Sequence, residues 1–206
     1  MIGHYAKSRQ ILRAAGMLGL LGVMTAAWGE YELRLPNLRA SSETVLYPIV
    51  LIVPAACAIV IGSTTRGWLG DIEVTAARPM RAWRLAHALG LCLLAAAILA
   101  PAASAGSHGY GSAVAVRNVL GYCGLVLLAA AVVGSELSWV PPLAFALPVP
   151  LLGVNAQHQI ASWAWPLQPA NVAMSWGWAL AIAAIGVGVW VQRSSRPSPP
   201  SGVDQA

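Results

Sequence analysis

Residues able to do chemistry are sparse in this sequence. Catalysis by a nucleophile needs a base within reach, and a metal site needs His, Cys, Asp or Glu at ligand spacing. The four histidines, His4, His87, His108 and His158, stand far apart, with no HExxH pattern around any of them. Three fall in the polar head or in loops, and His87 falls at the mouth of an apolar run. Cys57, Cys92 and Cys123 each lie inside an apolar run with no CxxC; they are expected to be packing residues. No GxxxxGK[ST] nucleotide loop occurs, so the chain cannot power itself with ATP. Enzyme activity, catalytic residues, metal ligands and cofactors are therefore not expected. Two ionisable residues approach the membrane interior, Arg117 and Glu136. Arg117 is expected to snorkel to a boundary, and Glu136 to cap the fifth helix or meet a cytoplasmic partner.

The one long polar segment between apolar runs is Trp68 to Arg84. Asp71 can cap a helix start, and Glu73 sits in the first turn, where the helix dipole favours a negative charge. Ile72, Ala76, Met80 and Trp83 recur at helical spacing, with Glu73, Arg78, Arg81 and Arg84 elsewhere around the axis. Pro79 predicts that a short helix ends near Arg78 and a second starts there and runs into the next span. Such a helix, joined rigidly to a spanning helix, can pass a push from a cytoplasmic partner into the bilayer. A simple interfacial anchor would look the same.

The elements that position these residues follow from composition. Of 206 residues, 58% are apolar and 9% charged, too little polar surface for a soluble domain. The expected class is an all-α polytopic membrane protein: one transmembrane domain over 1–191, with spans near 11–28, 45–63, 85–103, 114–134, 139–154 and 172–191. The net charge of +5 is spread over span-flanking segments, which points to topology rather than to nucleic acid. No small-x-small cleavage site follows the first run, so it is expected to be retained. Pro54 predicts a kink in the second span, and Pro141, Pro142, Pro148 and Pro150 predict a broken or bent fifth. The segment Asn155 to Asn171, rich in Trp and Gln, is expected at the interface as a short helix dipping towards the bilayer. Residues 192–206 are expected to be a disordered tail. Six spans put Lys7, Arg9, Arg13, Arg66, Arg78, Arg81, Arg84, Arg193 and Arg196 on one side and Arg34, Arg39 and Arg117 on the other. The richer side is then cytoplasmic and holds both termini, in a cell membrane.

This layout resembles the integral-membrane subunits of type-2 ABC exporters. The likeness rests on six spans, an amphipathic helix between spans two and three, a minimal Ser135-Glu136-Leu137-Ser138 turn, and a Pro- and Trp-rich segment before span six. The stretch from Asp71 to Arg84 is also similar to an E-x-x-x-A-R-P-x-x-x-x-R pattern of small actinobacterial permease-like proteins. The resemblance implies an exporter driven by a separate cytoplasmic ATPase chain. Asp71 to Arg78 would be its coupling helix, with Ile72, Ala76 and Trp68 as apolar contacts, Glu73 and Arg78 as polar ones, and Arg81 beside them. It also implies a dimer, with itself or with a sister permease. Two other readings differ in class, the first of them sharing the architecture. One is a haem-exporter-like permease in which His108 or His158 matters; the other is a scaffold or immunity protein with no ATPase, for which Glu73 and Arg78 are dispensable. The cargo is not legible in walls of Ala, Leu, Val and Gly.

Overall fold

The computed structural model describes residues 11–39, 44–65, 80–105 and 110–193, and these are mostly helical. Among the described residues, four helices are long and apolar enough to cross a membrane: α1 (Ile11–Trp28), the Leu85–Ala105 part of what we label α3 (Met80–Ala105), α4 (Ser112–Val132) and α7 (Ala173–Arg193). At 1.5 Å per residue, 18 to 21 residues span about 27–31 Å, close to a hydrocarbon core. Their outward faces carry apolar side chains such as Leu20, Leu93, Leu180 and Ile185, each more than half exposed. That is the dress of a helix facing lipid.

The second and fifth expected spans are not full-length helices. Residues 44–48 form strand β2 (Thr44–Pro48), followed by a 3-10 turn (Ile49–Leu51) and α2 (Val53–Thr64). Pro54 lies in the first turn of α2, where a missing N–H costs nothing, so the expected kink is instead a helix start. The fifth run is two short helices, α5 (Val140–Ala146) and α6 (Pro148–Leu152). It is broken as its prolines predict, because Pro148 cannot donate to the preceding turn. Nor is the fold wholly helical: the polar stretch between the first two expected spans contains β1 (Glu32–Pro36), paired antiparallel with β2 in the register Arg34↔Leu46. The Leu38 amide beyond β1 donates to the Leu151 carbonyl of α6 at 3.1 Å.

Helix direction can be read from side-chain contacts. Arg117 and Asn118 of α4 meet the segment leading into α7, and Arg193 at the end of α7 donates to the Ala131 carbonyl of α4 at 2.9 Å. These two helices therefore run parallel. At their crossing a Cβ on Gly124 would come within 2.6 Å of Ala183 Cα, and one on Gly186 would strike the Gly124 carbonyl. The backbones thus touch, as small residues permit in membrane bundles. Gly62 near the end of α2 lies against Val126 and Ser138, and His87 early in α3 bonds Thr64. One end of the bundle, the terminal end, consequently gathers the end of α2, the start of α3, the turn after α4 and the end of α7. The opposite, hairpin end holds β1–β2, Tyr110 and residues 153–172. The α4 helix is the axis, with 67% of its window buried against 22% for α1 and α7.

Of the expected coupling residues, Asp71, Ile72, Glu73, Ala76 and Arg78 lie outside the described residues, and Arg81 falls in the first turn of α3. Glu136 lies ahead of the fifth helix: α5 starts after Trp139, whose own side chain makes no cap bond, and the Ser138 hydroxyl donates to the Ser135 carbonyl at 2.9 Å in the turn.

Candidate functional site: a buried arginine and the hairpin-end cavity

Residues 153–172 do not form the expected helix. They fold as a strap across the hairpin end, opened by the Val154↔Ile160 bridge and an Asn155 side chain that accepts from the amides of Gln157 and Gln159 at 3.1 and 2.8 Å. A single 3-10 turn follows (Trp165–Leu167). Trp165 is 1% exposed; its ring lies 5.9 Å from Phe145, nearly parallel to it, and 5.3 Å from Tyr122. Gly121 of α4 makes room, since a Cβ there would collide with the Trp165 ring. The large aromatic drives the strap inward rather than along the interface.

Irregular backbone packed this deep leaves carbonyls that need donors, and Arg117 supplies them. Expected at a boundary, it is 0% exposed. Its Nη1 donates to the Pro169 carbonyl at 3.2 Å and to Ser175 Oγ at 2.7 Å. Its Nη2 donates to Asn118 Oδ1 at 3.1 Å and to the Pro166 carbonyl at 3.4 Å, and Nε donates to Asn118 Oδ1 at 3.1 Å. The Asn118 amide group donates to the Pro166 carbonyl at 3.0 Å, and the Ser175 hydroxyl to the Val172 carbonyl at 2.7 Å. All five guanidinium donors are thus engaged by neutral acceptors. The arginine ties α4, the strap and the start of α7 into one unit. No spacing pattern announces this, because the acceptors are backbone carbonyls about fifty residues downstream.

At the hairpin end, Tyr110 feels both Glu32 and Arg117. Burial raises its pKa most, the Glu32 carboxylate raises it further, and the Arg117 guanidinium opposes both. It therefore holds its phenolic proton above the ordinary tyrosine range. Tyr110 also lines a cavity of about 440 Å³ at the hairpin end, between the last turns of α1 and α3 and the base of the hairpin. Two backbone bonds fix its wall: the Ile49 amide donates to the Tyr31 carbonyl at 3.1 Å and the Val50 amide to the Gly29 carbonyl at 3.4 Å.

At the terminal end the Thr64 hydroxyl donates to the Ile61 carbonyl at 2.7 Å, so it accepts from His87 Nε2 at 2.9 Å. This histidine braces α3 against α2. The three cysteines are buried free thiols, as packing residues are. Among the described residues, no group of three His, Cys, Asp or Glu is arranged to hold a metal. What the arrangement offers is a cavity walled by the ends of α1 and α3 and the base of the hairpin, and a strap held by Arg117. No protein-family model, no curated protein and no solved structure matches this chain.

Proposed function

We propose that this chain is the membrane-spanning permease subunit of an ABC exporter, driven by a separate cytoplasmic ATPase chain and working as a dimer with itself or with a sister permease. In this reading the four long helices cross in full. The two shorter apolar segments, Ile49–Thr64 and 140–152, cross as interrupted helices completed by the hairpin and the strap. The observation that carries it is the gathering of Thr65 and Met80 at the same end of the bundle as the end of α7. The polar segment between Thr65 and Met80 therefore leaves and re-enters at the basic, terminal end, where a cytoplasmic motor would meet it. Because α3 begins at Met80 and continues as a spanning helix, force on Asp71 to Arg78 would be delivered to a rigid rod.

Affinity purification of the tagged full chain in mild detergent tests this, comparing wild type with a Glu73→Ala/Arg78→Ala double variant. An ATPase recovered with wild type and lost with the variant is the expected result. Absence of an ATPase from both would overturn the reading in favour of a scaffold.

A further inference from the structure

We propose that Cys92 and Cys123 form an oxidative modification site, a dithiol that dioxygen dissolved in the membrane converts to a disulfide joining α3 to α4. The three cysteines stand on three different helices, Cys57 on α2, Cys92 on α3 and Cys123 on α4, yet they share one core cluster. The Cys92 and Cys123 thiols are hydrogen-bonded to each other, whereas Cys57 bears on Cys123 electrostatically, with no such bond. The helix register gives the same pairing independently. The α3 helix runs from the terminal end to the hairpin end and α4 runs back, and Ala88 of α3 shares a small cluster with Leu127 of α4. One turn further along α3 and one turn back along α4 stand Cys92 and Cys123. Both lie near the middle of their helices, roughly 16–20 Å from the hairpin end.

Packing alone asks for no such pairing, since a single buried thiol fills space as well. Two thiols in contact can lose their hydrogens together. Each Sγ gives up one proton and one electron, the two sulfurs join, and dioxygen takes both hydrogens and leaves as hydrogen peroxide. The place selects the oxidant. Both thiols are buried, and Leu89 and Leu93 of the same stretch of α3 are turned outward, so lipid rather than water borders this seam. A charged oxidant is costly to bring into hydrocarbon, whereas dioxygen is apolar and dissolves there. The resulting bond would fix α3 to α4 at mid-helix. That it would thereby restrain the rod on which a cytoplasmic motor pushes rests on the permease reading; the bond itself does not.

The test uses the full chain alone, in phosphatidylcholine nanodiscs under air, with the lipid-permeable copper–phenanthroline complex as electron carrier. Dodecanethiol in the same discs is the control, because its consumption establishes that oxidation reaches the hydrocarbon layer. Free thiols are then counted with a maleimide after denaturation, and the linkage is mapped by peptide mass. Of the three free thiols, wild type is expected to keep only Cys57, with a peptide joining Cys92 to Cys123 inside one chain. Cys57→Ala should close the same bond, and Cys92→Ala and Cys123→Ala should form none. Helical content and monodispersity of each variant establish that it is folded. Three thiols still free once dodecanethiol is consumed, a bond that includes Cys57, or one that joins two chains would overturn the proposal. No outcome depends on an ATPase being found.

Discussion

Arg117 carries the largest single electrostatic commitment described in this bundle. A guanidinium with no water around it is tolerated because its planar fork reaches four acceptors on three segments at once. Lysine cannot do this, since its three donors radiate from one point. Arg117→Lys is therefore expected to lose at least two of these bonds, and Arg117→Leu to lose all five, leaving the Pro166 carbonyl only the Asn118 amide group, the Pro169 carbonyl only the Val172 amide and Asn118 Oδ1 without its donors, at a cost of roughly 1–3 kcal/mol. In detergent-solubilised protein both should unfold at lower temperature, Leu more so, at about 2–4 °C per kcal/mol. An unchanged midpoint for Arg117→Leu would mean that the strap is held by its aromatics alone.

Among the elements, the parallel pair α4 and α7 has the tightest backbone approach. Gly124 and Gly186 face each other there, while Gly188, two residues on and so turned to the other side of α7, has open space where a Cβ would stand. Gly124→Ala and Gly186→Ala should each destabilise by about 1–3 kcal/mol through overpacking. Gly188→Ala should be neutral or slightly stabilising, because alanine is the better helix former by about 1 kcal/mol. Thermal unfolding of the three variants in one detergent distinguishes packing from propensity; equal effects at all three positions would refute the close approach. The shorter helices show the same rule from the other side. In α2 and in α5–α6, prolines decide where helix begins, and the hairpin and strap take up the backbone that helix does not.

For the whole molecule, the segregation of helix ends has a direct test. The native cysteines are buried at 0%, 7% and 3% exposure, so introduced ones can be read without removing them. Arg39→Cys lies on the exposed hairpin and Glu136→Cys on the exposed turn at the other end. With a membrane-impermeant maleimide on intact cells, Arg39→Cys should label at once and Glu136→Cys only after permeabilisation. Labelling of both from outside would break the proposed orientation, in which the basic end faces the cytoplasm.

How much of this was legible in the residues follows from the range over which each feature acts. Apolar runs of eighteen or more residues with few charges determine spanning helices by themselves, because burial in lipid and backbone hydrogen bonding are both satisfied within the segment. Hence α1, α3, α4 and α7 match their expected positions within a few residues, and the break in the fifth run was written in its prolines. The β1–β2 pair, the strap without its helix and the burial of Arg117 depended on partners distant in sequence. Each is stabilised by groups that chain folding brings together: a strand edge, a glycine that admits Trp165, and the carbonyls of Pro166 and Pro169. The cavity belongs to that second kind, since Glu30, Glu32 and Tyr110 share a wall only because α1 and α3 end side by side. Local propensity set which segments are apolar helices; only tertiary packing decided where the charged and irregular ones could afford to lie.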